Sequence, residues 1–411
     1  MTAVSRSREF AVEVVGKLRE AGYTALFAGG CVRDLLLGRD PKDFDIATTA
    51  RPDEVRNLFG HKRTLAVGAS FGVIVVIGPP DAGHVEVATF RSDGNYLDGR
   101  RPDSVAFCTP EEDARRRDFT INGMFFDPLE EQVFDFVGGE VDLAAHVIRA
   151  IGDPHDRMRE DKLRMLRAVR FTAALDFALD PVTADAIRQM SSELVVVSAE
   201  RVAQELKKML VDIHRRRAIE LAVDADLFKI VLPELDPLTR PGEWVETLRR
   251  LELLHQPSFE LALAALLKSL PAKPTVYDIC RRLKLSNEEI DRIVWLVAHQ
   301  SDLDDAAGLS LAALKRCLAN PCRDDLLQLL GADRQATTSS LESIEFCQEF
   351  LARTPAEAID PPPFVTGDDL IALGLRPGPR FKSILETIRD AQLNLEIASR
   401  EEAVALAAVL K

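Results

Sequence analysis

The chain changes its hydrophobic period once, near residue 150, and that switch restricts the architecture more than any single motif does. Before it, short β-like runs at 65–67, 72–77, 84–89, 125–127 and 133–136 alternate with turn formers such as Gly78-Pro79-Pro80-Asp81 and Arg91-Ser92-Asp93-Gly94-Asn95. The spacing also predicts an amphipathic helix over about 10–20, a strand over 25–28 and a helix around 32–37. After Asp153-Pro154 the apolar spacing is helical almost throughout, from a candidate helix over 156–175 to one over 400–410, with Pro361-Pro362-Pro363 as a break. The expectation is an α+β domain followed by a long helical array, with more than one packed unit in 411 residues.

No stretch reaches 18 consecutive apolar residues, so no membrane-spanning helix is expected, and the first ten residues lack the apolar run of a signal peptide. A cytoplasmic location follows as the expectation. Six cysteines are too sparse for a disulfide framework. Cys317 and Cys322 have a zinc-like spacing, but no second pair or nearby histidine completes a site, so buried thiols are expected. The net charge of −14 argues against broad coating of nucleic acid, although a local basic groove would still suffice for an RNA substrate.

Chemistry concentrates in three places. Asp43-Phe44-Asp45 separates two carboxylates by one residue, which on a strand turns both to one face and sends Phe44 and Ile46 to the core. Paired carboxylates repel unless a cation lies between them, and hard oxygen ligands suit magnesium in phosphoryl chemistry. Alone the spacing is common. About a dozen residues earlier, however, Gly29-Gly30 lies between a short apolar strand and a helix, where bare backbone approaches a phosphate closely and Arg33 adds a cation. Glu86, on the run 84–89, is either a third carboxylate beside the pair or an ordinary solvated strand residue.

The second place is Arg115-Arg116-Arg117-Asp118-Phe119-Thr120-Ile121-Asn122, where arginines suit triphosphate oxygens and Asp and Asn suit ribose hydroxyls. The third is the helix expected from Asp156. At 100° per residue, Glu160, Arg164 and Arg167 share a narrow arc flanked by Asp161 and Arg170. Such a face is either salt-bridged surface or a reader of base edges. A carboxylate beside a guanidinium matches the amine and ring nitrogen that cytosine and adenine share, and that uracil and guanine lack.

Taken in order, Gly29-Gly30-Cys31-Val32-Arg33-Asp34, Asp43-Phe44-Asp45, Arg116-Arg117-Asp118-Phe119-Thr120-Ile121-Asn122 and Arg159-Glu160-Asp161-Lys162-Leu163-Arg164 resemble the motifs of class II tRNA nucleotidyltransferases, the bacterial CCA-adding enzymes and poly(A) polymerases. Gly138-Gly139 is similar to the family's motif between head and neck, and Glu200–Leu206 to its last one. The resemblance implies a polymerase β-like nucleotidyltransferase head over 1–151, a helical neck over 152–212 and a helical body and tail over 213–411 that bind tRNA. It implies Asp43 and Asp45 as Mg2+ ligands; Glu86, from its place on the run 84–89, is the candidate for a further catalytic carboxylate beside them. Gly29, Gly30, Arg33 and Arg117 would contact phosphates, and Asp118 and Asn122 would lie near the ribose. Asp161 and Arg164 would read the base with Glu160 holding Arg164, and Arg167 and Arg170 would complete the nucleotide site.

The implied activity is template-independent addition of CMP and AMP from CTP and ATP to the tRNA 3′ end. The alternatives are an A-adding or poly(A)-adding relative and, more remotely, a non-catalytic RNA-binding protein. The segment 96–105 is similar to the loop that A-addition needs. Poly(A) polymerases often carry a strongly basic tail, and the mixed C-terminal segment favours tRNA as substrate. Gly123 departs from the family's usual Ala or Ser. Arg201, Lys207, Lys208, Arg215, Arg216 and Arg217 are candidate phosphate contacts for the RNA.

Overall fold

The computed structural model describes residues 3–68, 72–93, 105–236, 240–376 and 378–410, in two compact units, Met1–Glu234 and Leu235–Lys411. The segment 96–105, expected to be the A-addition loop, lies outside the described residues except for its last position.

In the first unit, strands β1 (Ala25–Ala28), β2 (Asp45–Thr48), β3 (Thr64–Gly68), β4 (Val73–Ile77), β5 (His84–Thr89), β8 (Phe125–Asp127) and β9 (Gln132–Phe134) form one sheet in the order β3-β4-β5-β2-β1-β8-β9. A separate hairpin pairs β6 (Arg91–Asp93) with β7 (Val105–Phe107). The sequence reading placed a turn at Arg91. The chain instead pairs Arg91 with Phe107 and Ser92 with Ala106, a long-range ladder that local turn formers do not announce. Helix α1 (Ala3–Glu20) turns Phe10, Ala11, Val14, Val15 and Leu18 into the core, an i, i+4 stripe that leaves Glu13 and Lys17 as an outer ion pair. Phe27 and Phe44 meet in the core at 5.2 Å and Phe90 meets Phe125 at 5.5 Å. Each such aromatic contributes about 1.5–3 kcal/mol by its burial.

Helices α2 (Gly30–Leu36), α3 (Pro52–Phe59), α4 (Pro110–Arg115) and α5 (Gly139–Ala144) decorate the sheet. Gly138 takes φ 81°, and a Cβ on Gly139 would meet the Thr120 carbonyl oxygen at 2.4 Å, so both glycines of this motif are required by the backbone. Gly123 has a different cause. A Cβ there would meet Val137 Cγ2 at 2.7 Å and Ile151 Cδ1 at 3.0 Å, so those side chains already fill the space a methyl would need. Gly123→Ala is therefore expected to lower stability by about 1–3 kcal/mol through overpacking. Adding Val137→Ala should recover part of the loss, read as urea midpoints of the single and double variants.

The two-residue β10 (Val147–Ile148) pairs in parallel with β11 (Ala178–Leu179). Between them the helix expected over 156–175 is broken into α6 (Pro154–Glu160) and α7 (Leu163–Leu175). Asp161 is extended (φ −144°, ψ 104°), and its carboxylate accepts from Leu163 N at 3.1 Å, a local bond that competes with continuing the helix. Helices α8 (Pro181–Met190), α9 (Ala199–Val211), α10 (Arg215–Asp224) and α11 (Phe228–Val231) complete the unit.

The second unit is helical: α12 (Pro241–Leu253), α13 (Phe259–Leu267), α14 (Tyr277–Arg282), α15 (Asn287–Ala298), α16 (Leu311–Leu318), α17 (Arg323–Ala336), α18 (Glu342–Arg353), α19 (Ala356–Ile359), α20 (Gly367–Ala372), α21 (Pro379–Leu393) and α22 (Arg400–Val409). Its core is α13, apolar and buried from Phe259 to Leu267 except at Glu260. Cys317 and Cys322 are buried thiols, and burial pushes Cys317 up to about 11. No described helix is long and apolar enough to cross a membrane.

Candidate active site

Register places the carboxylates. Strands β2 and β5 run parallel, and Asp45 is the direct partner of Glu86, so the residue left open by the sequence lies beside the pair. Asp43 stands in the bend before β2 rather than on the strand, yet the alternation holds: Asp43 and Asp45 face solvent while Phe44 and Ile46 are buried. Although Asp45 has an open face, the protein around its carboxyl and then the negative charge of Glu86 push it up to about 6, with Asp43 adding to the rise and Arg117 opposing it. A carboxylate whose ionisation its acidic neighbours oppose is one that a divalent cation relieves. Among the described residues, no three His, Cys, Asp or Glu side chains are grouped to hold a metal unaided. The carboxylates therefore suit an ion that completes its shell with water and substrate oxygens.

Facing them is a cleft of about 660 Å³ lined by Gly29, Gly30, Arg33, Asp43, Asp45, Arg117, Asp118, Asn122, Asp161, Arg164, Arg167 and Arg170, every residue selected from the sequence except Glu86 and Glu160. Arg91, Arg116, Phe171 and Lys208 line it too. Gly29 adopts φ 73°, ψ −130°, a conformation reserved for glycine, and a Cβ there would meet Arg117 Nη1 at 3.1 Å. The glycine thus makes room for the arginine as well as for a ligand.

The arginines are held by buried acids, of which the sequence reading did not single out Asp113. Asp113, 1% exposed, takes Arg116 on Oδ1 (2.6 Å) and Arg117 on Oδ2 (2.9 Å). Burial pushes its carboxyl up, but the Arg117 and Arg116 charges outweigh this and keep it below the usual range. Asp118 accepts from Arg167 at 2.6 Å and from Asn122 Nδ2 at 3.2 Å, while Asn122 Oδ1 accepts from Arg33 at 2.8 Å. Burial opposes ionisation of Asp118 too, yet Arg167 and Arg164 bring it down to about 2. Glu205 on α9, also buried, accepts from Arg170 at 2.6 Å. Phe171 offers its ring to Arg170 at 4.0 Å, and to Arg33 and Arg167 at 5.3 Å each. The result is a rigid cationic wall fixed before any anion arrives.

At the α6–α7 break, Arg164 donates to Glu160 at 2.5 Å, to the Arg157 carbonyl at 2.9 Å and to the Arg116 carbonyl at 3.0 Å. These bonds use Nη1 and one Nη2 proton, which leaves Nε–H and an Nη2–H for a ligand. Asp161 is gripped from α9 by Arg201 through two bonds, 3.0 and 2.6 Å. Arg201 is thus an internal clamp rather than a free phosphate contact. Of its companions, Arg215 is buried and donates to the Leu210 carbonyl, whereas the partly exposed Arg216, Arg217 and Lys208 pair with Glu220, Asp176 and Glu205.

Comparison with known proteins follows the same outline. Residues 25–149 match the poly A polymerase head domain, and residues 176–239 match the probable RNA and SrmB-binding site of polymerase A. The CCA-adding enzyme of Lactobacillus helveticus is 34% identical over 404 residues, covering 96% of this chain and 95% of that protein. The CCA-adding enzyme of Bacillus subtilis is 34% identical over 395 residues, covering 95% of each. Among solved structures, the CCA-adding enzyme of Bacillus stearothermophilus in complex with CTP superposes with a TM-score of 0.79 at 30% identity, covering 97% of this chain and 96% of that one. The Thermotoga maritima enzyme complexed with tRNA shares the fold, with a TM-score of 0.65 at 21% identity.

Proposed function

The chain belongs to the CCA-adding enzymes, and from that premise we propose that it adds CMP and AMP to the 3′ end of tRNA through the cleft between Asp43–Asp45 and the α6–α7 break. The observation that carries this reading is the convergence in one cleft of the aspartate pair, the braced arginines and the Asp161/Arg164 reader. The RNA 3′-hydroxyl attacks the α-phosphate in line, an O–P bond forms, the bond to the β-phosphate bridge breaks, and pyrophosphate leaves. Magnesium ions held by Asp43 and Asp45, when bound, would favour the attacking alkoxide and the leaving oxygens. Glu86 strengthens the negative field that draws such cations, since it lies in register beside Asp45.

The protein's own residues supply the rest. Gly29 and Gly30 admit the triphosphate to bare backbone, and Arg33 and Arg117 neutralise its oxygens. Asp118 and Asn122, fixed by Arg167 and Arg33, would hydrogen-bond the ribose hydroxyls. Asp161 accepts from the exocyclic amine of cytosine or adenine, and Arg164 donates to the adjacent ring nitrogen. Residues 1–151 would perform catalysis, 152–212 would read the base, and 213–411 would hold the tRNA. A cytoplasmic site of action is the reading these substrates favour.

Binding of the four nucleoside triphosphates with Mg2+, measured without RNA, tests the reader apart from the chemistry. CTP and ATP are expected to bind at least about tenfold more tightly than UTP and GTP, within the range of one good two-bond base contact. Equal affinity for all four would remove Asp161 and Arg164 from base selection.

A further inference from the structure

A second hollow lies within the helical unit, away from every residue discussed so far. It encloses about 530 Å³ and is walled by Leu311, Phe350, Phe364, Leu395 and Ile397, with Lys315 among them. Leu311 and Lys315 are one turn apart on α16 and share a face. Leu395 is 71% exposed and sits at φ 62°, so a bulky apolar residue is held in a rare backbone conformation beside the hollow.

Lys315 is the informative residue. It is 5% exposed, and among the described contacts nothing accepts a hydrogen bond or ion pair from its ammonium. The neighbouring acids are committed elsewhere. Asp360 accepts from Arg389 at 2.5 Å, while Asp390 and Glu386 each pair with Arg316 at 2.7 Å. The amide of Gln392 is used by Arg389, Phe364 N and the Pro362 carbonyl. Burial, followed by the positive charge of Arg389, lowers the ammonium's pKa. An amine with little access to water and no counter-ion is costly. The fold has packed it against a space large enough for a small molecule rather than closed that space.

We propose that this hollow is a binding site for a small apolar monoanion of the fatty-carboxylate type, its headgroup paired with Lys315 and its chain laid against Leu311, Phe350 and Phe364. The apolar walls select the tail, and the unmatched cation selects the charge. The volume limits the ligand to a single short chain.

Isothermal titration of the full chain with decanoate and with decanol, both below aggregation, tests this directly. Decanoate is expected to saturate one site, and decanol of the same length to bind at least tenfold more weakly. Lys315→Met keeps the stem and removes the charge. It should weaken decanoate at least tenfold, leave decanol unchanged, and melt no lower than the parent chain. Ala358→Trp, at an exposed position of the lining, should block both ligands with Lys315 in place, and so serves if the first variant does not fold. Equal binding of decanoate and decanol, or decanoate binding indifferent to both substitutions, would overturn the proposal. So would a Lys315→Met protein that loses tRNA affinity while decanoate never binds, since the hollow would then serve the RNA.

Discussion

Asp45→Asn is expected to lower single-turnover incorporation of CMP by about 10³-fold, on the order of 4 kcal/mol of barrier, while the protein melts at or above the temperature of the parent chain. The two halves of this result have one cause. The amide keeps the shape of the carboxyl but cannot carry the charge that a catalytic cation needs. The same charge is a burden on the metal-free fold, because the protein packed around the carboxyl, then Glu86 in register and Asp43 two residues away, raise its pKa against the pull of Arg117. Removing it relieves repulsion, so activity and stability should move in opposite directions. A merely structural aspartate would move them together. Incorporation within tenfold of the parent would remove Asp45 from the metal side of the site.

Asp161→Ala should alter selection more than speed. The carboxylate is held against rotation by two bonds from Arg201 and by its own bond from Leu163 N, so it presents a fixed acceptor to the base. Loss of that acceptor is expected to lower kcat/KM for CTP and ATP by roughly 5- to 150-fold, the value of a base contact worth about 1–3 kcal/mol. UTP, which gains nothing from an acceptor at that edge, should be little affected, so the CTP/UTP ratio collapses by a similar factor. Steady-state incorporation with each nucleotide on one primer reads the effect. An unchanged ratio would assign Asp161 a role only in fixing the α6–α7 break.

Much of this was legible in the chain. The strands at 25–28, 84–89 and 125–127 coincide with β1, β5 and β8, because alternating or continuous apolar runs between glycine- and proline-rich turns leave few alternatives. The alternation of Asp43, Phe44 and Asp45 also held, and the exposed pair looks onto the arginines selected with it. The break at Asp161 was invisible to periodicity, since Glu160, Arg164 and Arg167 remain neighbours whether or not one residue between them leaves the helix. Helix α4 has no place in the sequence reading, although Thr109 and Glu112 form a capping box that announces it and sets Asp113 one turn before Arg116 and Arg117. Arg201 and Glu205 lie 40 and 35 residues from the groups they hold. No local pattern pairs groups across that distance, and for the same reason Arg201, taken from the sequence as a candidate phosphate contact, is found bracing Asp161.

The central claim is that one cleft adds two different nucleotides and then stops. Three tRNA transcripts, ending before CCA, after C and after CC, should be incubated with the protein, Mg2+, and CTP and ATP singly and together. The expected result is completion of CCA on all three and no further extension, with CTP alone giving CC and ATP alone extending only the transcript that ends in CC. Repeated adenosine addition to any RNA, or extension confined to the CC-ending transcript with both nucleotides present, would contradict it.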